Sequence, residues 1–295
     1  MRGRVAVVGA GNMGSAAAER LASQGFEVIL WNRTREKAEA VASKIGAKVA
    51  GSVEDAVGSA EYVVSFLSDD DAVVEVASRI PRSDGLVYLE MSTITPKAAR
   101  LLASHVESKG ACFLHSPVLG GPGRVREGKL IILSAGKQRC RSLAQPVFEA
   151  LSEHVVYLGE DPAMAAAAKL AFNNLLVTAV GAAAESTVLA EAYGVEPQTF
   201  LDILLKTVFA DFADTYLRRM LASERKTHFA MRLAAKDVSY AAWSLREAGI
   251  PAFIASAAAQ AFTAASALGY AEDDYTRIRD VLRMMAHSGK GCGQA

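Results

Sequence analysis

The chain has 295 residues, enough for two domains with cores of their own. Hydrophobic residues make up 51% of it and charged residues 22%, and its 32 basic residues balance its 32 acidic ones. A net charge of zero argues against the strongly basic surface with which proteins hold nucleic acids or anionic membranes, so we expect neither as a partner.

Metal sites and disulfides are not expected either. Cys112, Cys140 and Cys292 show neither CxxC nor zinc spacing, and the five histidines are dispersed. An odd number of scattered cysteines fits a reduced cytoplasm. We expect a cytoplasmic protein without a leader. The longest apolar runs carry Lys, Asn or Glu, so no membrane-spanning segment is expected.

The amino-terminal stretch predicts a dinucleotide site. Residues 4–8 are typical of a buried parallel strand, residues 15–24 of a helix, and Gly9-Ala-Gly-Asn-Met-Gly14 lies between them. In this motif the first glycine permits a tight turn, the second lets the backbone approach a pyrophosphate, and the third lets helix and strand pack closely. The alternative is a glycine-rich turn in an unrelated unit. The residues expected to contact the cofactor here are Gly9, Gly11, Asn12, Met13 and Gly14.

The end of the second strand, residues 27–31, favours NADP(H) over NAD(H). An NAD site usually carries an acidic residue there, bonded to the ribose hydroxyls. This chain has Asn32-Arg33-Thr34-Arg35 instead, with Lys37 one turn into the next helix. Cations without a carboxylate suit a 2′-phosphate. Arg33 is the main candidate, with Asn32, Thr34 (also a helix cap) and Lys37 assisting; the alternative is a solvated basic turn.

Strands and helices continue to alternate through the first 160 residues. Further strands are predicted near residues 47–49, 62–67, 86–90, 111–116, 130–135 and 155–158, and helices near 53, 70–79, 96–109 and 139–151. This pattern predicts an α/β Rossmann domain with a doubly wound, mostly parallel sheet over residues 1–160. Leu67 and Thr93 follow strands at the carboxyl edge, where such sheets bind ligands, although capping and turn roles fit them equally well.

A glycine-rich stretch, residues 117–123, follows the strand at 111–116. Gly120 and Gly121 expose neighbouring backbone N–H groups, which could cradle a small carboxylate. A flexible surface loop is the alternative.

One long helix is predicted from Asp161, as N-cap, to Gly194, just past its end. It is apolar almost all round, as buried helices are, yet Lys169 and Asn173 interrupt it on one face. Burial would lower the pKa of such a lysine and make it a usable proton carrier. The alternative is a lysine snorkelling at the helix edge.

The remainder, residues 161–295, is predicted to be all-helical, with a tail from residue 288 that frays. Its further helices are expected at residues 197–206, 211–222, 228–247, 251–268 and 274–286. Their Ala-rich faces suit either a bundle within the chain or a dimer interface.

These motifs together resemble the β-hydroxyacid dehydrogenase family, which includes 3-hydroxyisobutyrate dehydrogenase, glyoxylate/succinic semialdehyde reductase and, more distantly, 6-phosphogluconate dehydrogenase. The resemblance spans nearly the whole chain. It rests on the motifs Gly9-Ala-Gly-Asn-Met-Gly14, Pro117-Val-Leu-Gly-Gly121 with Gly128-Lys-Leu130, Lys169-Leu-Ala-Phe-Asn173, and Lys236-Asp237 with Phe229 ahead of it.

The resemblance implies reversible oxidation of a small 3-hydroxy acid with NADP+, in which Lys169 accepts the hydroxyl proton and Asn173 orients Lys169 or the substrate. It further implies that Gly120 and Gly121 hold the substrate carboxylate and that Thr93 lies between nicotinamide and substrate. Lys236 would close on the cofactor, with Phe229 and Asp237 lining the pocket.

Two positions depart from the family pattern. Many members have Ser where this chain has Leu119, and Asp where it has His115. Losing the hydroxyl removes one hydrogen bond but leaves the glycine N–H groups. Leu119 leaves room for a small substrate such as 3-hydroxyisobutyrate, 3-hydroxypropionate or L-serine.

Three other functions stay open on these residues. One is reduction of glyoxylate or succinic semialdehyde, which the basic turn and Phe229 also fit. An imine reductase or a catalytically dead NADP-binding module is disfavoured, because such proteins would be expected to lack Lys169. A homo-oligomer, dimer or tetramer, is expected from the family.

Overall fold

The computed structural model describes residues 2–224 and 226–288, the last two of these by backbone only. Cys292 and residues 289–295 of the tail predicted to fray lie outside the described residues. The chain forms two compact units, Met1–Leu170 and Ala171–Ala295.

The first unit alternates strands and helices. Its strands are β1 Arg4–Val8, β2 Glu27–Trp31, β3 Lys48–Val49, β4 Tyr62–Ser65, β5 Val87–Glu90, β6 Cys112–His115, β7 Val118–Leu119, β8 Leu130–Gly136 and β9 Ser152–Gly159. Its helices are α1 Asn12–Ser23, α2 Arg35–Ile45, α3 Val53–Gly58, α4 Asp70–Ser78, α5 Pro96–Ser108, α6 Pro122–Glu127 and α7 Gln138–Leu151.

Six strands form a parallel sheet in the order β3-β2-β1-β4-β5-β6, which is the order of dinucleotide-binding folds. Both faces are covered. Val5 and Val7 of β1 pack in the core with α1, α2 and α7, while Ala6 and Val8 pack with α3, α4 and α5 on the other face. Because successive side chains of a strand point to opposite faces, one apolar strand serves both cores. The predicted doubly wound α/β fold is confirmed.

The far edge of the sheet is mixed. β8 runs antiparallel to β6 and β7 and parallel to β9. The stretch at residues 117–123 is therefore not a flexible loop, because β7 and α6 occupy most of it. Val118 pairs with Ile132 of β8, and buried Val125 fixes α6 in the core.

The long helix is α8, Ala163–Ala192. Asp161 caps its start, since the Oδ1 atom of Asp161 accepts the Ala163 N–H at 3.0 Å. Gly194, at φ +85°, ends it in the left-handed conformation that favours glycine. Both predicted ends are confirmed.

By length and composition alone α8 could cross a membrane. The Lys, Asn and Glu residues of α8 do not exclude a membrane-spanning helix when only length and composition are considered. However, Val177, Val180 and Ala184 lie in the hydrophobic core of the second unit. We therefore interpret α8 as the core helix of a folded domain.

The second unit is helical throughout its described residues, apart from an isolated bridge between Ala230 and Asp274. Its helices after α8 are α9 Pro197–Leu204, α10 Ala210–Phe212, α11 Arg218–Leu221, α12 Met231–Glu247, α13 Phe253–Ala265 and α14 Ile278–Ser288. π-helical turns follow α10 (Ala213–Leu217) and α13 (Ser266–Tyr270), and a 3₁₀ turn, Tyr275–Arg277, precedes α14.

The helix predicted from residue 228 begins only at Met231. The Asp274 carboxylate explains the delay, because its Oδ2 atom accepts the N–H groups of His228 and Phe229 at 2.8 and 3.1 Å. Those residues are thereby held in a bend against Asp274, which caps the 3₁₀ turn ahead of α14.

The division between the two units falls within α8, at Leu170, whereas we predict a boundary ahead of the helix, after residue 160. The first turns of α8 belong to the first unit, since Ala166 is buried in the core formed with α3, α4 and α5.

Candidate active site

The glycine loop between β1 and α1 has the backbone geometry that its sequence predicts. Gly9 lies at φ +100°, and a Cβ atom there would stand 2.2 Å from the Phe66 carbonyl oxygen. A Cβ atom on Gly14 would stand 1.8 Å from the Gly9 carbonyl oxygen. At Gly11 a Cβ atom would meet nothing within 4 Å, so this part of the loop is open.

The start of α1 offers unpaired hydrogen-bond donors. No side chain caps the helix, and its first turn carries no acidic residue. The N–H groups of a first helical turn have no acceptor within the helix, so those of Asn12, Met13 and Gly14 can receive an anion. An open backbone next to uncapped donors fits the pyrophosphate of a dinucleotide.

Asn32 supports this loop. Its Oδ1 atom accepts the Ala10 N–H at 2.9 Å, and its Nδ2 group donates to the Thr34 carbonyl at 2.7 Å. The side chain thus ties the glycine loop to the turn after β2. Asn32 therefore shapes the predicted cofactor site by holding its two loops together.

The turn after β2 presents cations to solvent. Arg33, Thr34 and Lys37 are exposed, and among the described residues Arg33 and Lys37 take part in no ion pair. Thr34 holds the N-cap position of α2, as predicted, but its side chain makes no capping hydrogen bond. A phosphate that binds here would not have to displace a carboxylate from Arg33 or Lys37.

Leu67 and Thr93 lie on neighbouring segments at the carboxyl edge of the sheet. The Leu67 N–H donates to Ser92 Oγ at 2.7 Å, and the Ser92 N–H donates to Glu90 Oε1 at 2.8 Å. Glu90 is fully buried at the end of β5. Ser92 lies at a strand tip that the sequence predicts at this edge, whereas the supporting role of Glu90 is not predicted. The available signal is an acidic residue ending an otherwise apolar strand.

Glu90 and His115 are paired on neighbouring strands of the sheet, and their pKa values are shifted in opposite directions. Burial raises the pKa of the Glu90 carboxyl to about 7, with a small contribution from Asp70, while its hydrogen bonds to serines oppose the shift. Burial lowers the pKa of the His115 imidazole to about 4. At neutral pH the histidine is therefore uncharged.

These shifts predict opposing effects of pH on stability. From pH 4.5 to 7 folded Glu90 keeps a proton that the unfolded chain loses, so its contribution to stability falls as pH rises. As pH drops from 6.5 to 4, His115 binds a proton in the unfolded chain but not in the folded protein. The contribution of His115 to the stability of the fold therefore falls as pH drops. Each effect amounts to about 3 kcal/mol, so the two largely cancel.

Glu90→Gln should reveal the pH dependence that His115 alone gives to the stability of the protein. Relative to the wild type, the variant should gain stability as pH rises from 4.5 to 7, because it no longer carries the buried carboxyl. Urea unfolding at a series of pH values measures this difference. Parallel curves for the two proteins would show that Glu90 titrates normally.

The predicted carboxylate cradle lies between β7 and α6. Leu119 is half-buried at the end of β7, while Gly120 and Gly121 are exposed. Gly120, at φ +129°, makes the turn that a side chain would resist, and Gly121 is the N-cap of α6. The backbone here is presented to solvent by two defined elements.

Asn173 lies in the second unit, four residues along α8 from Lys169. It is 4% exposed, and its Nδ2 group donates to Asp237 Oδ2 at 2.5 Å. Asp237, on α12, is only 2% exposed. Its carboxylate lies against Asn173 instead of at the surface where adjacent charged residues are usually found.

Lys236 contacts the same carboxylate. Its Nζ atom lies 3.0 Å from Asp237 Oδ1 and 4.8 Å from the centre of the Tyr240 ring. A buried carboxylate beside a lysine and an amide donor is electrostatically balanced. Asp237 therefore fixes the orientation of both Asn173 and Lys236. Phe229 lies apart from this cluster in its contacts, with its ring 5.2 Å from that of Tyr275.

Asp237→Ala should destabilise the protein by about 1–3 kcal/mol, because it removes the carboxylate that accepts a buried amide hydrogen bond and lies 3.0 Å from a lysine. It should also lower kcat, since Asn173 loses the contact with Asp237 that orients it. Asp237→Asn keeps an acceptor and should cost less. Urea unfolding and steady-state kinetics measure both effects, with exposed Glu247→Ala on the same helix as control. Wild-type stability in Asp237→Ala would contradict the assigned role.

Within the part of the chain that the structure describes, no group of three or more His, Cys, Asp or Glu side chains could hold a metal ion.

Two family models match successive parts of the chain. A model described as the NAD binding domain of 6-phosphogluconate dehydrogenase matches residues 4–159. A second, described as NAD-binding of NADP-dependent 3-hydroxyisobutyrate dehydrogenase, matches residues 163–282.

Individual relatives agree with the family models. An uncharacterised oxidoreductase of Bacillus subtilis (strain 168) is 31% identical over 286 residues, covering 93% of this chain and 98% of the relative. The chloroplastic glyoxylate/succinic semialdehyde reductase 2 of Arabidopsis thaliana is 26% identical over 285 residues, covering 95% and 79%. The structure of Mycobacterium tuberculosis 3-hydroxyisobutyrate dehydrogenase with L-serine has a TM-score of 0.83 at 26% identity, covering 96% and 100%.

On the family models, the nearly full-length relatives and the shared fold, the chain belongs to the β-hydroxyacid dehydrogenase family and is an NAD(P)-dependent hydroxyacid dehydrogenase.

Proposed function

We propose that this enzyme transfers hydride between a small 3-hydroxy acid and NADP+, with Lys169 as the proton carrier. The observation that carries the proposal is the buried Asn173 amide, fixed by Asp237 at 2.5 Å, four residues along α8 from Lys169. Residues four apart on a helix lie on one face, so a held amide and an amine can address the same substrate group.

When bound, the nicotinamide supplies the hydride acceptor. Lys169 takes the proton of the substrate hydroxyl as the carbonyl forms, and stabilises the charge that develops on the oxygen. Asn173 orients Lys169 or the substrate oxygen. In the reductive direction Lys169 returns the proton.

The other candidate residues bind the substrate or the cofactor, or enclose the substrate. The backbone of Gly120 and Gly121 holds the substrate carboxylate, and Leu119 limits the space beside it. Thr93, Phe229 and Asp237 complete the substrate side. We further propose that Lys236, whose ammonium lies beside Asp237 in the second unit, contributes to cofactor binding.

We propose NADP(H) as the preferred cofactor, held at its 2′-phosphate by Arg33 with help from Thr34 and Lys37. Support comes from the exposed cationic turn and the absence of a carboxylate at the end of β2. Arg33→Ala should weaken NADPH binding about 10- to 100-fold, because a charge-assisted contact is lost, and leave NADH binding nearly unchanged. Fluorescence titration with both nucleotides measures this ratio, and Arg35→Ala, whose partner is Glu39, is the control. Equal losses for the two nucleotides would refute the assignment.

The substrate is proposed from chemistry and from relatives. The M. tuberculosis structure contains L-serine, so L-serine, 3-hydroxyisobutyrate and 3-hydroxypropionate are the first candidates. A second candidate function is NADPH-dependent reduction of glyoxylate or succinic semialdehyde, which the Arabidopsis relative favours.

A substrate panel decides between these functions. The three hydroxy acids with NADP+ or NAD+, and the two aldehydes with NADPH or NADH, should be assayed side by side. Turnover of at least one hydroxy acid with NADP+ supports the leading proposal, and turnover of the aldehydes alone supports the second. No turnover of any of them, with NADPH binding intact, would remove both.

We also propose that the protein works as a homo-oligomer in the cytoplasm. Large apolar side chains are exposed on the helices of the second unit and on the turn after α8, including Leu189 at 62%, Phe253 at 81% and Tyr193 at 84%. Such surfaces usually mark contacts with another chain. Light scattering after gel filtration tests the state, and a monomer at micromolar concentration would contradict it.

A further inference from the structure

His115 ends β6 and is fully buried, yet the proposed reaction does not use it. Its ring stands between two backbone carbonyls. Nε2 lies 3.2 Å from the Ser92 oxygen, and Nδ1 lies 3.4 Å from the Pro162 oxygen. The imidazole thus spans the gap between the segment after β5 and the residue just ahead of α8, all within the first unit.

Both bridged segments carry residues of the proposed reaction. Ser92 is followed directly by Thr93. Pro162 precedes α8, on which Lys169 lies seven residues later, or about two helical turns. A change in the spacing of the two carbonyls would therefore shift Thr93 relative to Lys169.

The segment after β5 is fixed to the sheet by other contacts. Ser92 is held by Glu90 and Leu67, and Thr95 donates to Asp70 at 2.6 Å. None of these contacts reaches α8. The segment is thus held in place independently of α8, and His115 can position the start of α8 relative to it.

The start of α8 is also held by apolar packing, since Ala166 is buried in the core, and by an ion pair on the surface. Arg100 of α5 pairs with Asp161 at 2.5 Å, but the Arg100 side chain is 64% exposed. Exposed ion pairs constrain geometry weakly. His115 adds a buried polar contact to this packing. Because burial lowers its pKa to about 4, the ring is neutral at pH 7 and donates to one carbonyl at a time.

We propose that His115 is a positioning residue, which sets Thr93 and Lys169 at their working separation by spacing the Ser92 and Pro162 carbonyls. The inference rests on the proposed role of Lys169. It concerns a position at which this chain has His where many members of the family that it resembles have Asp.

Three substitutions separate the two contacts. His115→Asn places an amide nitrogen near the position of Nδ1, so it keeps a donor for Pro162. His115→Gln places one near Nε2 and keeps a donor for Ser92. His115→Phe fills the space and keeps neither.

We expect kcat of His115→Phe to fall about 10- to 100-fold, since displacements of about 1 Å at an active site cost that much. The Asn and Gln variants should lie between it and the wild type. The Kd for NADPH should change less than about threefold, because the glycine loop and Arg33 lie on other elements. With the hydride donor deuterated, which is the hydroxy acid at C3 in oxidation or NADPH at nicotinamide C4 in reduction, the isotope effect on kcat should rise as the chemical step becomes slower.

A matched control tests for a merely structural role. Phe113→Leu alters a buried ring on the same strand, two residues earlier, which stacks on Tyr88. It should lower the melting temperature, yet leave kcat and the isotope effect near wild type. The assay uses the full chain, with whichever of L-serine, 3-hydroxyisobutyrate or glyoxylate is turned over.

The positioning role is overturned if His115→Phe keeps kcat within about threefold of wild type, or if Phe113→Leu loses kcat in parallel with its stability. Should the Phe variant not fold, the Asn and Gln variants decide by the same criterion. Lys169→Ala is measured beside them. An active Lys169→Ala removes the proposed function itself, whereas an inactive one beside normal His115 variants removes only the positioning role.

Discussion

Lys169→Ala should lower kcat by about 10²- to 10⁴-fold, the usual contribution of a general acid or base. Without the amine, the substrate hydroxyl has no group to take its proton as hydride leaves, and the forming carbonyl loses its nearby positive charge. The Kd for NADPH should remain within about threefold of wild type, because the proposed phosphate contacts lie on the glycine loop and the turn after β2. Steady-state kinetics and fluorescence titration measure the two quantities.

Chemical rescue makes this test specific. A small amine such as methylamine, added to Lys169→Ala, should restore part of the lost rate because it can occupy the vacated space and carry the proton. Exposed Lys206→Ala serves as the control and should behave as wild type. If Lys169→Ala kept its rate within about tenfold, the lysine would not be the proton carrier.

Gly14→Ala should destabilise the first unit by about 3 kcal/mol or more, since a methyl group there would stand 1.8 Å from the Gly9 carbonyl oxygen. Backbone rather than a flexible side chain is in the way, so α1 would have to move off β1. Most of the expressed variant should be insoluble or melt well below the wild type.

Gly11→Ala is the matched counterpart. Its added Cβ meets nothing within 4 Å, so stability should change by no more than about 1 kcal/mol. Affinity for NADPH should nevertheless fall about tenfold or more, because the methyl group stands where the backbone must approach phosphate. Calorimetric melting and nucleotide titration separate the two effects. Equal stability loss in both variants would mean that the loop is not built as described.

Local sequence signals predicted the first unit well because they report short-range geometry. Gly9 needs a positive φ and Gly14 a close approach, and both requirements arise within one strand, one turn and one helix. Asp161 and Gly194 marked the ends of α8 for the same reason, since a cap and a left-handed residue act on adjacent backbone.

Contacts between distant parts of the chain were not predictable in this way. Asn173 and Asp237 are 64 residues apart, and only the packing of α8 on α12 shows that the carboxylate holds the amide. The delayed start of α12 likewise depends on Asp274, some forty residues later. For the same reason a lone acidic residue at the end of β5 gave no sign that it supports Ser92.

The strand β7 and the helix α6 in the glycine-rich stretch after β6 were not predicted, for a different reason. Gly120 and Gly121 suggest an open loop when read alone, because glycine is common in loops. Val118 and Val125 decide otherwise, since burying them requires a strand on β8 and a helix in the core. Two apolar residues seven positions apart are too sparse a pattern to predict either element.

A crystal structure with NADP+ and a bound hydroxy acid would test the central claim most directly. The account predicts Lys169 Nζ within about 2.6–3.2 Å of the substrate hydroxyl oxygen, with Asn173 still bonded to Asp237. A lysine directed into solvent, with another side chain or water at the hydroxyl, would contradict it.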